Sequence, residues 1–279
     1  MRLVSWNIAH PGEGTGSAKG CWEALDADPS LDVALLQEAT APPGHYTGEV
    51  VVPTGGPWRT GGGTRRHWRT AVVRCSDRVT VTPIPTTTLE EGARAVPVSL
   101  AGSLAGAKVS APGIEPITVV SAYAAWETPV DGNWIMADTS AHRLISDISA
   151  LTATKRAHRI IVAGDWNILY GYGEHGDAYW AARYRTVFDR MASLGLAFVG
   201  PQYPNGHRAD PWPDELPADS RNLPTFKPAG QPATRQLDYV FASTGIAHEV
   251  VATALNHPTD PYQWGPSDHA RILIDYSPT

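Results

Sequence analysis

Short apolar runs that stop on a polar residue recur along this chain. Residues 160–163 read IIVA, a β-branched run bounded by Gly164, which suits a strand buried on both faces. Asp165 stands where that strand ends, and if the chain stays extended Asp165 and Asn167 face the same way. Asp and Asn are poor strand residues, so this edge favours chemistry over stability. Gly164 lets another backbone or a ligand come close. Residues 3–8 form a similar strand ending on Asn7, and the run 33–36 closes on Gln37 and Glu38. A stronger strand, 117–123, ends on Tyr123. QLDYVFA, 236–242, carries an inward Asp238 among apolar neighbours, where an unpaired carboxylate is costly. Ser267, Asp268 and His269 precede a last strand through Ile272 and Ile274. A histidine beside one aspartate, with a second buried aspartate needing a donor, is a candidate for catalysis.

Between these strands the period changes to that of a helix. Leu144, Ile145, Ile148 and Leu151 make a core-facing stripe in a helix predicted over 137–158, and Val187, Phe188, Met191 and Leu194 make another that Gly195 stops. Trp22 and Leu25 suggest a shorter helix ending near Pro29. Further strands are expected at 70–73, 79–82 and 96–100. Alternation of strand and helix implies a sheet layered with helices. Long proline- and glycine-rich loops are expected at 42–63 and 200–232, the second without any period and therefore functional or mobile. Gly12, Gly14, Gly16 and Gly20 read as a flexible loop, because Lys19 lies between Ala18 and Gly20 and matches no phosphate-binding pattern.

Composition narrows the classes. With 279 residues, 42% of them hydrophobic, there is material for a sizeable core, and one domain over 1–279 is expected because parts of one site lie on both sides of the long loop. A net charge of −6 argues against coating nucleic acid by bulk charge. A local strip remains: Arg59, Arg65, Arg66 and Arg69 gather around Trp58, His67 and Trp68, either as a solvated face or as a phosphate-contacting patch with aromatic stacking. Cys21 and Cys75 are too few for a disulfide framework or a zinc finger and fit a reducing compartment. The start MRLVSWNI has too short an apolar run for a signal peptide, and no stretch reaches membrane-spanning length, so a cytoplasmic protein without a membrane partner is expected, as a monomer.

The ordered set WNI at 6–8, LLQE at 35–38, GDWN at 164–167, LDYVF at 237–241 and SDH at 267–269 resembles the endonuclease/exonuclease/phosphatase family, the fold of DNase I and exonuclease III-type nucleases. The resemblance spans nearly the whole chain. It implies a four-layer α/β sandwich, two mixed β-sheets packed face to face with helices outside. It implies a metal-dependent hydrolase of phosphate esters, with Mg²⁺, or Mn²⁺ in its place. Glu38 would be the main metal ligand, with Asn7 beside it and Asp268 near. Asp165 would orient or deprotonate the attacking water, Asn167 would hold the phosphate, and His269, braced by Asp238, would bind a non-bridging oxygen. Tyr123 falls near the scissile phosphate. Repair endonucleases of the family carry an acid two positions after the first Asn, where this chain has Ala9, which weakens an abasic-site assignment.

The physical chemistry agrees with that expectation. A phosphodiester is already anionic, and a hard divalent cation with carboxylate ligands offsets its repulsion of an attacking hydroxide. Calcineurin-like phosphoesterases would need Asp-x-His early and Gly-Asn-His later, and a serine hydrolase a G-x-S-x-G elbow; none of these occurs. The expected substrate is DNA or another nucleic acid, with an inositol or nucleotide phosphatase, a lipid phosphodiesterase and a binding protein with a dead site as alternatives. Arg65, Arg66, Arg69 and Trp68 are the candidate substrate contacts.

Overall fold

The computed structural model describes residues 1–8, 17–46, 48–51, 69–87, 95–125, 137–152 and 158–278. In chain order the first half runs β1 (Arg2–Asn7), α1 (Ser17–Asp26), β2 (Val33–Ala39), β3 (Val50–Val51), β4 (Arg69–Arg74), β5 (Thr80–Ile84), β6 (Thr86–Thr87), β7 (Val96–Pro97), β8 (Leu104–Ala111) and β9 (Ile114–Tyr123). The second half runs α2 (Ala137–Thr152), β10 (Ile160–Asp165), α3 (Ala178–Ser193), β11 (Leu196–Gly200), β12 (Asp238–Ser243), β13 (Val250–Leu255), α4 (Pro261–Trp264) and β14 (Arg271–Tyr276).

Two mixed sheets result. One has the order β13-β14-β1-β2-β4-β3, the other β11-β12-β10-β9-β8-β5. Each has one parallel pair, β1 with β2 and β9 with β10, bridged by α1 and α2 respectively. Side-chain alternation sorts the strands into layers. Leu3, Val33, Leu35, Ile161, Ala163, Val240, Ile272 and Ile274 meet between the sheets. The intervening Val4, Ala34 and Leu36 face Cys21, Trp22 and Leu25 of α1, while Ile160, Val162 and Phe241 face the stripes of α2 and α3. This is the expected four-layer sandwich. The strand leading to Asp165 is buried throughout, as its continuous β-branched pattern requires.

Several expectations need correction. The strand expected at 96–100 is only the two-residue β7 paired with β6, because Ser99 binds Asp147 of α2 instead of extending a ladder. Helix α1 begins at Ser17, so Lys19 and Gly20 belong to it and not to a loop. The stretch 200–232 is the expected long connection without helix or strand after Gly200, and it is packed at Leu216, Asn222, Leu223 and Thr225, which are buried. Strands β8 and β13 go unannounced in the sequence, since small and polar residues interrupt their apolar pattern. Arg69 begins β4 opposite Ala39 and is buried, with burial lowering its pKa, so it is not part of an exposed strip. Trp58, Arg59, Arg65, Arg66, His67, Trp68 and Ala9 lie outside the described residues. Among the described residues no helix is long and apolar enough to cross a membrane.

Candidate active site

The parallel and antiparallel ladders deliver the polar strand ends to one mouth between the sheets. In the second sheet Asp165 lies directly opposite Asp238 of β12 and, on its other side, in register with Tyr123 of β9. Paired residues share a face, so the three side chains form a row on the inner side of the sheet. In the first sheet Asn7 is in register with Gln37.

Glu38 reaches this mouth by an irregularity. Leu36 pairs with Ala71 and Ala39 with Arg69, so Gln37 and Glu38 together oppose a single residue of β4. Leu36 and Ala39 both pack on the outer layer, which leaves the two bulged residues to face inward. Glu38 takes φ of 47° to do so, an uncommon backbone for a residue with a side chain. The bulge is braced across the sheets: Gln37 Nε2 donates to Ser121 Oγ of β9 at 2.9 Å, and Ser121 Oγ donates to Leu36 O at 2.7 Å.

Asn7 Nδ2 donates to Asp165 Oδ2 at 2.9 Å and to Glu38 Oε1 at 3.3 Å, linking the two sheets' carboxylates. The other Asp165 oxygen accepts the Asn167 N–H at 2.9 Å, and Asn167 Nδ2 is fixed by Ala124 O at 2.8 Å. Asn167 sits at φ of 51°, a left-handed turn that Asn tolerates well. The close approach at Gly164 is to a backbone: a Cβ there would stand 1.8 Å from Ala122 O.

Two carboxylates directly opposite each other repel. His269 answers that repulsion, with Nδ1 2.9 Å from Asp238 Oδ2 and Nε2 3.9 Å from Asp165 Oδ2. Burial alone would lower the imidazole pKa, but Asp238 and then Asp165 outweigh it and hold it at about 10. Burial raises the Asp165 pKa, with His269 opposing and Asp238 and Glu38 adding to the rise. Asp268 stands exposed at the rim, its pKa raised by desolvation on the cleft side and, against the pull of His269, by Glu38. Tyr123 is buried, its ring against Ala125 and Leu100.

Pattern reading leaves out the residues that hold the histidine. Ser267 Oγ donates to Asn7 O at 2.6 Å and accepts the His269 N–H at 3.0 Å, and Trp6 Nε1 donates to His269 O at 3.0 Å. Thr225 Oγ1 accepts the N–H groups of Leu237 and Asp238 at 2.9 and 3.0 Å. The Phe226 ring packs 5.0 Å from the imidazole, and its backbone bridges Arg235 and His269. Thr225 and Phe226 lie in the segment without a period, so no pattern singles them out.

Two donor sets meet here. Asn7, Glu38 and Asp268 offer oxygen ligands. Asp165, Asp238 and His269 bring one ligand atom each within 4.8 Å of one another, but the Nδ1 hydrogen bond already engages His269 with Asp238. Burial first, and the neighbouring carboxylates after it, raise Asp165 and Asp268; a divalent cation would relieve that crowding of carboxylates, and the oxygen set fits a hard one.

Solved structures share this architecture. The chain is similar to the endonuclease domain of TRAS1, a telomere-specific non-LTR retrotransposon (16% identity, TM-score 0.61, 99% of this chain and 97% of that one). It is similar to an AP endonuclease from Archaeoglobus fulgidus (13%, 0.60, 99% of each chain) and to the 3′ phosphatase NExo from Neisseria bound to a product DNA hairpin (15%, 0.57, 99% of each chain). No curated protein sequence matches the chain. Identities this low speak for the fold alone. The family assignment comes from the sequence match over residues 4–269, which takes in every motif from the Trp6–Asn7 strand end to His269. The chain belongs to the endonuclease/exonuclease/phosphatase family.

Proposed function

We propose that the protein is a Mg²⁺-dependent phosphodiesterase that cleaves nucleic acid, with Mn²⁺ a competent substitute. Members of the family hydrolyse phosphate esters, typically with a divalent metal. The observation that carries the reading is the Asp165–Asp238 pair, placed directly opposite across the ladder with His269 between its carboxylates and the Asn7–Glu38 contact alongside. In this proposal Glu38 is the principal ligand, with Asn7 and Asp268 completing an oxygen set of the kind Mg²⁺ prefers. The bound cation supplies charge neutralisation at the phosphate.

The chain's own groups do the rest. Asp165, held by Asn7 and the Asn167 N–H, orients a water and takes its proton as that oxygen attacks phosphorus opposite the leaving oxygen. His269 is charged, so Nε2–H is free to donate to a non-bridging oxygen while Nδ1–H is held by Asp238. Asn167 and Tyr123 steady the phosphate. Arg65, Arg66 and Trp68 are proposed to contact the nucleic-acid backbone and bases. NExo bound to a product DNA hairpin and D. rerio TDP2 complexed with a single-strand DNA product, two proteins of similar structure, support this reading.

The test is a Mg²⁺-dependent activity panel of plasmid DNA, single-stranded DNA, RNA, inositol phosphates and sphingomyelin. Cleavage of a nucleic acid that EDTA abolishes is expected. Turnover of only inositol phosphates or sphingomyelin would replace the nucleic-acid reading, and full activity in excess EDTA would remove the metal.

A further inference from the structure

Arg235 precedes the strand that carries Asp238, and its backbone belongs to the wall that holds His269. Phe226 pairs antiparallel with His269 on one side and with Arg235 on the other. The first pairing is closed by the Lys227 N–H on Asp268 O and the Ala270 N–H on Thr225 O, both at 2.8 Å, and the second by the Phe226 N–H on Arg235 O at 3.1 Å. Directly paired residues project to one face, so His269, Phe226 and Arg235 form a row across three extended segments. The Phe226 ring, 5.0 Å from the imidazole, fixes that face. Paired Cα atoms lie about 4.5–5.5 Å apart, which puts the Arg235 backbone roughly 10 Å from that of His269 along the row.

The Arg235 side chain is half-buried, yet among the described residues it has neither a hydrogen bond nor an ion pair. A cation partly withdrawn from water without a counter-ion is uncommon. Burial raises the pKa of the Tyr172 phenol, in the loop that follows Asn167, and Arg235 is close enough to oppose that rise. Glu174 and Glu215 add to it, but neither makes an ion pair with Arg235. Arg235 thus lies between the loop after Asn167 and the segment packed on His269, the two residues proposed to meet the scissile phosphate. Glu38, Asp165, Asp238 and Asp268 make the neighbouring mouth acidic, and Arg69 is buried. A second anion of the substrate therefore needs a cation of its own, and a guanidinium grips phosphate through two parallel hydrogen bonds.

We propose that Arg235 is a specificity-determining residue that binds a second phosphate of the substrate, the one adjoining the scissile diester. The assignment rests on the phosphodiesterase reading for its substrate but not for its binding, and two measurements separate them. In the first, kcat/KM is compared for the thymidine dinucleotide TpT and for its singly phosphorylated forms pTpT and TpTp. One phosphorylated form should exceed TpT by about tenfold, the scale of a hydrogen bond to a charged group. Arg235→Ala should bring that ratio close to one, and Arg235→Lys, which keeps the charge but loses the planar fork, should lower it severalfold. Arg185→Ala, at an exposed arginine of α3, should not alter it. In the second, thymidine 3′,5′-bisphosphate, which has no diester bond, is titrated by calorimetry with Mg²⁺ present. Arg235→Ala should weaken its binding about tenfold, and Arg235→Lys severalfold, so the lysine variant decides both measurements if the alanine variant does not fold. Equal rates on the three dinucleotides, or a bisphosphate affinity that both substitutions leave unchanged, would overturn the proposal while cleavage itself upheld the phosphodiesterase. Weakened bisphosphate binding in a protein that cleaves no diester would support the Arg235 site and remove the phosphodiesterase.

Discussion

At the level of single residues, the proposed reaction leans most on Glu38 and His269, and each can be tested alone. Glu38 is only partly buried and faces the cleft by way of an unfavourable backbone angle, a strain tolerated where a side chain must be re-aimed. Glu38→Gln keeps the shape and removes the charge. It should lower kcat by at least two orders of magnitude, of the order seen when a positioned ionic group is lost, and should weaken Mg²⁺ binding in calorimetry. The circular dichroism spectrum should not change. For His269 the test is titration. Asp238→Asn removes the carboxylate that does most to hold the imidazole at about 10, so its NMR titration should move down and the rate should fall roughly 10²–10⁴-fold. An unmoved titration would show that the two side chains are not coupled in solution.

At the level of elements, two backbone features place the site: the bulge in β2 and the approach of β10 to β9. Gly164→Ala would drive a Cβ to within 1.8 Å of Ala122 O, at a backbone position with φ of 159°, and neither parallel strand can move without breaking its ladder. The expected cost is about 4 kcal/mol or more, read as a lower urea midpoint. The basic strip divides in the same way. Arg69 is buried in β4, so Arg69→Ala should lower stability and leave the salt dependence of DNA cleavage as it was. Neutralising Arg65 and Arg66 together should raise KM for DNA and flatten that salt dependence with little change in kcat. Identical salt slopes for the double variant and the unaltered protein would assign Arg65 and Arg66 to a solvated face.

For the whole molecule, the buried charges tie stability to pH and to metal. The imidazole of His269 is held at about 10 against an ordinary 6.5, so its charged form stabilises the fold fully below pH 6.5. That contribution is lost as pH rises through about 10. Asp165, raised above its ordinary value, acts with the same sign, because the fold favours its protonated form. Stability should therefore decline from neutral toward alkaline pH in urea titrations without metal. Mg²⁺ should reverse part of the decline, since a ligand that binds only the folded state stabilises it and ionised carboxylates bind it best. Thermal melts should show a larger Mg²⁺-induced rise in Tm at pH 8 than at pH 6. Equal rises at both values would mean that the cation does not face these carboxylates.

What the sequence determines by itself is local: which runs are strands, where the two long helical stripes lie, and that Asn7, Glu38, Tyr123, Asp165, Asp238 and His269 stand at or near strand ends. Those facts follow from periods of 2 and 3.6 and from the cost of placing polar residues among apolar ones. The five motifs in order add the family and its four layers. Tertiary structure alone decides the rest, because it depends on register between distant strands. Pairing puts Asp165 opposite Asp238. A bulge reverses the face of Glu38, which strict alternation would send to the outer layer with Leu36. Arg69, indistinguishable in sequence from its arginine neighbours, is drawn into a strand by pairing with Ala39. Thr225 and Phe226 come from a stretch with no period, held in place by contacts with residues more than ten positions away. Side-chain pattern records what each residue prefers, whereas register and irregular backbone are settled only when both sheets close on one core.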